Sequence, residues 1–427
     1  MLKKLILENW KSFRYAELPL DPLTVLIGTN ASGKSNVVEA LEFLQRIARG
    51  ENIEVALAGD KTLPSIRGGV EWAAIKPETE FTLKAMIQGN DDKTDYFYSI
   101  ILQTIPVVRI RKEYINISEY HDKNYPNKKL FTINVDDKTA TSNLSNYGGF
   151  SVDVDDLVKE FSSQNFSDAI TEEIKTKLRY EIKEKIEFAQ NNLDYLINDV
   201  ILPTIQNILI LNPIPSTMRD YSRLSDSLEG DASNIAGVLA GLTEEQKAEV
   251  EFSLSEYIKD FPEGDIQKVW AEKVGRFGTD AMLYCQEKWK PDQITEIDAR
   301  TMSDGTLRFL AILTALLTRP EGSQLVIEEI DNGLHPSRAE LLVRILREIG
   351  SKRKIDILLT THNPALLDAL GPEIVPFVVV AHRDKETGES KLTLLEDIEN
   401  LPLLLASGTL GRLATKGAIE KSLSDNK

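Results

Sequence analysis

The chain has 427 residues, 42% hydrophobic and 27% charged, enough apolar material to bury a large core in two to three domains. Its net charge of −17 excludes a protein that coats nucleic acid through its whole surface, because non-specific affinity comes from basic side chains releasing counterions. The single cysteine, Cys285, excludes an internal disulfide and a multi-cysteine zinc site, and no run approaches the roughly 18 apolar residues of a bilayer span.

In chain order, Met1 to Glu8 alternates like a strand and does not read as a signal peptide, so a cytoplasmic protein without membrane contact is expected. The apolar run Leu23 to Ile27 leads into Gly28-Thr29-Asn30-Ala31-Ser32-Gly33-Lys34-Ser35, which fits G-x-x-x-x-G-K-[ST] and opens a helical pattern from Asn36 to Leu44. Strand, glycine loop and helix in that order form a phosphate cradle. The glycines let successive N–H groups point at a polyphosphate, and the helix N-terminus adds partial positive charge. Lys34 reaches the β- and γ-phosphates, and Ser35 offers a hydroxyl to Mg²⁺. Gly28, Asn30, Ser32, Gly33, Lys34, Ser35 and Asn36 are the expected nucleotide contacts.

Residues 1–140 are β-rich, with further strands expected over Phe81 to Met86, Tyr96 to Gln103, Val107 to Ile117 and Leu130 to Val135. Lys3, Lys4, Lys11 and Arg14 form one basic patch and Arg109, Arg111 and Lys112 another. Each reads first as a solvated strand edge and only second as a DNA contact. Residues 141–296 read as a mainly helical insertion. A polar linker to about Asn165 precedes a long amphipathic helix marked by Ile170, Ile174, Leu178, Ile182, Ile186, Leu193 and Ile197. Its roughly 30 residues would project about 45 Å. Pro203 and the apolar stretch Ile205 to Leu211 end it, and helical patterns return at Ile235 to Leu242 and Glu244 to Ile258.

From residue 297 the pattern alternates: helix Thr306 to Leu317, strand Gln324 to Ile327, helix Ser337 to Ile349, strand Ile355 to Thr360, helix Ala365 to Leu370 and strand Ile374 to Ala381. Such alternation implies parallel strands with crossover helices. The nucleotide core is therefore split by the insertion, with a C-terminal lobe over 297–390 and a tail over 391–427. The strand ending in Glu328 and Glu329 supplies one carboxylate for Mg²⁺ (Glu328) and one to activate water (Glu329). His362 follows the next strand and so emerges at the same sheet edge, toward the γ-phosphate or the attacking water. Met302-Ser303-Asp304-Gly305-Thr306 opens an apolar helix as an N-cap or an anion site.

In this order, GTNASGKS, MSDGT, LVIEE-I-DNGLHP and LLTTHNP resemble the Walker A, signature, Walker B with D-loop, and H-loop of ABC-type ATPases of the RecF/SMC group. The first strand, Leu5 to Phe13, also looks like that group's. Asn332-Gly333-Leu334-His335-Pro336 is similar to stand-alone AAA/ABC-like ATPases related to the OLD nuclease head and to bacterial anti-phage systems. The resemblance implies an α/β fold: an ABC-type P-loop NTPase head with a β-rich N-terminal lobe, split by the helical insertion. It also implies ATP and Mg²⁺ as cofactors, ATP hydrolysis to ADP and phosphate, and a homodimer or higher even-numbered oligomer. In that assembly Ser303 and Gly305 of one subunit meet the γ-phosphate bound at Lys34 of the other.

Two departures stand out: Glu328 replaces the usual Walker B aspartate, and Asp304 replaces a signature glycine. His335 falls in the D-loop, and Arg67-Gly68-Gly69 is the candidate for the Q-loop. About 65 residues follow His362, too few for the acidic nuclease domain of OLD proteins, so a separate effector polypeptide, a nuclease or a toxin, is expected under anti-phage control. A RecF-like repair ATPase that binds DNA, and a nucleotide-gated scaffold with little turnover, are the alternatives.

Overall fold

The computed structural model describes residues 1–89, 94–119, 128–133, 195–261, 265–290, 293–333 and 335–425. The chain opens with a hairpin, β1 (Leu2–Trp10) and β2 (Phe13–Pro19), then runs through β3 (Leu23–Ile27) into helix α1 (Lys34–Ala48). Strands β4 (Glu80–Gln88), β5 (Thr94–Gln103), β6 (Arg109–Glu119) and β7 (Lys128–Ile133) follow. All but β3 join one antiparallel sheet, ordered β2-β1-β4-β5-β6-β7, which accounts for the β-rich N-terminal lobe.

This lobe is fastened to α1 by aromatic packing. Trp10 lies edge-on to Phe81 with ring centroids 4.9 Å apart, and Phe43 of α1 sits 6.0–6.1 Å from both rings. The Trp10 indole N–H donates to the carbonyl of Asn36 at 2.7 Å, so the buried ring keeps its polar group satisfied while holding the start of α1.

The basic residues of this lobe are largely paired. Lys3 meets Asp95 at 2.9 Å, Lys4 meets Glu17 at 2.7 Å, Lys11 meets Glu39, and Arg14 meets Glu78 at 2.7 Å. Arg111 meets Glu80 at 3.3 Å, and Arg109 donates to Gln103.

The long helix expected over 170–197 lies outside the described residues apart from its end. There Leu196–Ile201 is π-helical and runs directly into α2 (Leu202–Gln206), so Pro203 lies just past the junction of the two helix types and does not stop the helix. Then comes β8 (Ile208–Leu211). Beyond it are β9 (Ser222–Arg223), helices α3 (Ile235–Gly241) and α4 (Glu244–Lys259), and strands β10 (Ile266–Val274), β11 (Asp280–Lys290) and β12 (Gln293–Asp298). Both helices fall where the hydrophobic pattern places them, and α4 starts with a Thr243–Gln246 capping box. Residues 266–298, however, form antiparallel strands in place of further helix. Val269, Ala271, Ala281, Leu283 and Cys285 alternate inward on them, a period-2 signal masked by intervening Lys and Glu. Cys285 is fully buried and its thiol is pushed up to about 12 by burial, which suits the small core hydrophobe expected of it.

The C-terminal alternation is α5 (Asp304–Thr318), β13 (Gln324–Ile327), α6 (Ala339–Arg353), β14 (Asp356–Thr360), α7 (Pro364–Ala369), β15 (Val378–Arg383) and β16 (Ser390–Leu394), with α8 (Ala418–Asp425) near the end. The last strand starts later than the apolar run suggests, because Pro372 and Pro376 turn residues 372–377 into a 3-10 segment. The core sheet has the order β16-β15-β3-β14-β13-β8, parallel throughout except for β16. Buried on both faces, β13 and β14 have unbroken apolar centres, Leu325 to Ile327 and Ile357 to Leu359. The split nucleotide core is thereby reunited: β3 lies between two strands that follow it by more than 300 residues.

At the start of β14 a carboxylate is buried. Asp356 is 6% exposed, and burial pushes it up to about 6, the N-terminal ammonium opposing and Asp21 adding. An acid raised in this way favours the fold only while protonated. Its contribution is complete below the unfolded value near 4 and is lost as pH rises through about 6. Asp356→Asn is therefore expected to raise the melting temperature at pH 8, by an amount corresponding to about 1–3 kcal/mol, with no gain at pH 4. Equal melting shifts at both pH values would show that the carboxylate is not held in this state.

Candidate functional site: the nucleotide edge of the core sheet

The loop after β3 wraps the start of α1. Gly28 has φ 141°, and a Cβ there would lie 2.1 Å from the Ala381 carbonyl oxygen of β15, so only glycine lets the loop pass this close to the next strand. Gly33 caps α1 in a left-handed conformation, φ 112°. The apex, Thr29 to Ala31, is exposed, and Ala31 is itself left-handed, with its carbonyl held by Arg383 Nε at 2.8 Å. Backbone N–H groups in such a curl converge on a concave anion site.

Lys34, 8% exposed, curls over this loop and donates to the carbonyls of Gly28 at 2.7 Å and Thr29 at 3.0 Å. It makes no ion pair among the described residues. Burial holds its ammonium below the usual lysine value, against the pull of Glu329, Glu328 and Glu420. The lysine is thus a desolvated cation whose bonds go only to neutral carbonyls. Ser32 Oγ is buried beside it without a hydrogen-bond partner. A cation in this state, an orphaned hydroxyl and a glycine cradle fit a polyphosphate.

Ser35 lies in the first turn of α1 and Asn30 at the exposed apex, each with a side chain that makes no hydrogen bond among the described residues. Asn36 is engaged elsewhere. Its amide donates to Ser12 Oγ at 2.7 Å, and Ser12 in turn accepts from Ser390 of β16, so the Asn36 side chain ties α1 to the first hairpin.

Glu328 and Glu329 follow β13 directly. Glu328 is half-buried and Glu329 exposed, and neither is ion-paired among the described residues. Glu329 is left-handed, φ 48°, a strained state for a residue with a Cβ, and its N–H donates to Thr360 Oγ1 of β14 at 2.8 Å. The strand ends are so locked that the carboxylate projects from the sheet edge. His362, two residues beyond β14, belongs to the same charge cluster. Burial lowers its pKa, Lys34 lowers it further, and Asp331 and Glu329 oppose. Its imidazole is accordingly neutral at pH 7.

Among the described residues no group of three or more His, Cys, Asp and Glu side chains could hold a metal alone. Mg²⁺ at this edge would take Ser35 and Glu328 together with phosphate oxygens and waters, which is how that ion is usually held beside nucleotides.

The signature segment belongs to a separate constellation. Ser303 caps α5, its Oγ accepting from the Thr306 N–H at 3.1 Å. Asp304 is pinned by Arg219 at 2.6 Å, and a Cβ on Gly305 would lie 2.7 Å from the carbonyl oxygen of Gly333 in the D-loop segment. None of the three bonds to the phosphate loop of its own chain. His335 caps the turn at Pro336–Arg338, accepting from the Ser337 N–H, a local structural contact. Leu334 lies outside the described residues.

Several supporting groups make contacts that the motifs do not announce, even where, as with Thr360 and Arg67, the residue lies within a quoted motif or candidate. Arg383, Thr360 and Ser390 hold the loop and strand ends. Arg67 pairs with Glu39 of α1 at 2.6 Å and lies within electrostatic reach of Glu328. Glu420 of α8 brings the tail within the field of Lys34. These contacts span dozens to hundreds of residues, so no local pattern could announce them.

Among solved structures, the SMC head bound to the C-winged helix domain of ScpA is similar at 13% identity, over 92% of this chain and 96% of that one, with a TM-score of 0.48. The SMC head domain from Thermotoga maritima matches at 14% identity over 92% and 98%, TM-score 0.43. The SMC head with an extended coiled coil from Pyrococcus furiosus, bound to the C-terminal domain of ScpA, matches at 13% over 95% and 99%, TM-score 0.42. No curated protein matches the chain. A phosphate loop, a β-rich N-terminal lobe and a parallel core sheet with carboxylates at its edge make the architecture that of an ABC-type P-loop ATPase head. The family model "AAA domain, putative AbiEii toxin, Type IV TA system" matches residues 23–368, well over half of the sequence, and the chain belongs to that family.

Proposed function

We propose that this protein binds ATP with Mg²⁺, hydrolyses it to ADP and phosphate, and does so as a homodimer or higher even-numbered assembly that controls a separate effector. The observation that carries this reading is the gathering at one sheet edge of Lys34, two carboxylates and a neutral histidine, of which Lys34, Glu328 and Glu329 have no ion pair among the described residues. Lys34 and the loop N–H groups would hold the β- and γ-phosphates, with Ser35 and Glu328 on the metal, which neutralises phosphate charge when bound. Glu329 accepts the proton of the attacking water, and His362 hydrogen-bonds the γ-phosphate or that water. Ser303 and Gly305 would complete the site of the opposite subunit. Their lack of any bond to their own phosphate loop supports that arrangement.

The family description, with its toxin and type IV toxin–antitoxin wording, supports a nuclease or toxin effector and an anti-phage role. The DNA-repair alternative is less favoured, because Lys3, Lys4, Lys11, Arg14 and Arg111 are already ion-paired. Among the described residues no helix is long and apolar enough to cross a membrane.

Mixing two dead variants tests the composite site. Lys34→Ala and Ser303→Arg proteins are each expected to be inactive. An equal mixture should recover about a quarter of wild-type turnover, since half the dimers are mixed and each of those has one intact site. A mixture as inactive as its components would refute sharing of the site between chains.

A further inference from the structure

At the sheet edge opposite the phosphate loop lies a cavity of about 440 Å³, lined among others by Arg49, Gln206, Asn207, Asp226, Thr318 and Arg319. Arg319 is only 6% exposed. One of its terminal nitrogens donates to the Asn207 carbonyl at 2.7 Å, and its Nε is buried with no hydrogen-bond partner. Arg49 donates to the Gln206 carbonyl at 3.3 Å. Neither arginine is ion-paired among the described residues, although Asp226 lines the same cavity. Burial, with Arg49 as a like-charged neighbour, pushes the Arg319 guanidinium down to about 10.

A tether between the end of α5 and the start of β8 would need only one neutral donor. Two guanidinium groups on one cavity without a paired carboxylate cost desolvation and mutual repulsion. An anion bound between them offsets both. The guanidinium fork matches phosphate oxygens in pairs, and the cavity volume falls in the range of small-ligand sites. Asp226 disfavours a polyanionic strand but can accept hydroxyl hydrogens of a sugar. We infer that this cavity, at the far end of α1 and α5 from the phosphate loop, binds a small phosphorylated ligand of the nucleoside monophosphate class between Arg49 and Arg319.

The placement also gives such a ligand a lever. α1 and α5 each have 15 residues, about 22 Å of helix. The N-termini carry Lys34 and Ser303, and at the far ends Arg49 and Arg319 each follow the last helical residue directly. A phosphate held by both arginines fixes the spacing of two helices whose other ends present the phosphate loop and the signature segment.

The test uses full-length Lys34→Ala protein, so that the phosphate loop does not report, titrated calorimetrically with AMP and separately with inorganic phosphate. Lys34→Met replaces it should alanine perturb the melt. Saturable binding of AMP is expected, at least tenfold weaker once Arg49→Gln is added. Arg49 is exposed and bonds only a backbone carbonyl, so an unchanged melting curve certifies the fold. Inorganic phosphate binding as tightly as AMP, with the same loss in Arg49→Gln, would keep the anion site and identify its ligand as free phosphate. No saturable binding of either probe, binding indifferent to Arg49→Gln, or binding of a single-stranded oligonucleotide alone would overturn the inference. Because the phosphate loop is disabled throughout, none of these outcomes depends on the proposed ATPase reading.

Discussion

Lys34→Ala protein is expected to lose ATP affinity by at least about 100-fold in a calorimetric titration, and with it all turnover. Lys34 is the one Lys or Arg within the loop sequence Gly28 to Ser35, and the other cation on the loop, Arg383, is engaged with the Ala31 carbonyl. Its two present bonds, to the carbonyls of Gly28 and Thr29, are ones that phosphate oxygens can replace with charge-assisted bonds. Those carbonyls lie on a loop whose apex is exposed, so their loss should move the melting temperature little. Unchanged ATP affinity in the variant would remove the phosphate-cradle role, whatever else the fold retained.

The second large effect separates binding from chemistry. Glu329→Gln protein should bind ATP as well as the wild type, yet turn over about 10²- to 10⁴-fold more slowly, the usual contribution of a positioned general base. Because ATP then persists, a larger species should accumulate in size-exclusion chromatography with ATP and Mg²⁺. Glu328→Gln should behave differently, weakening the dependence of binding on Mg²⁺. Undiminished hydrolysis by Glu329→Gln would assign water activation to another group. The left-handed backbone at Glu329, clamped by Thr360, gives a physical reason to single it out, since strain at a strand end is retained where the projecting side chain has a task.

How much of this was legible in the sequence depended on the range of the interaction. Gly28 to Lys34, the run Leu325 to Ile327 with its two acids, and the strand before His362 are local signals, and each lies where the pattern places it. The N-terminal strands likewise fall on their β-branched and aromatic runs, the end of the run Leu130 to Val135 lying outside the described residues, save β2, whose Arg14, Tyr15 and Glu17 obscure the alternation. β8 was hidden for another reason. Ile208 to Leu211 is too short to be told from a helix end, and only pairing with β13 makes it a fifth parallel strand. The side-chain partner of Asn36 was hidden by adjacency. Asn36 directly follows the motif, but a helix turns each successive side chain by about 100°, and its amide lands on Ser12. Tertiary clasps such as Arg383 on Ala31 leave no trace in a local window.

The position of β3 has a consequence for how the molecule matures. Its neighbours on either side, β14 and β15, together with the Arg383 grip on Ala31, are translated more than 300 residues after it. A nascent chain that has emerged only through the insertion therefore carries the glycine motif without partners for its supporting strand. Under the proposed ATP-binding role, nucleotide affinity is expected to arise late, once β14 and β15 have emerged to flank β3. An early-terminated polypeptide would be blind to ATP even with every residue of the motif present.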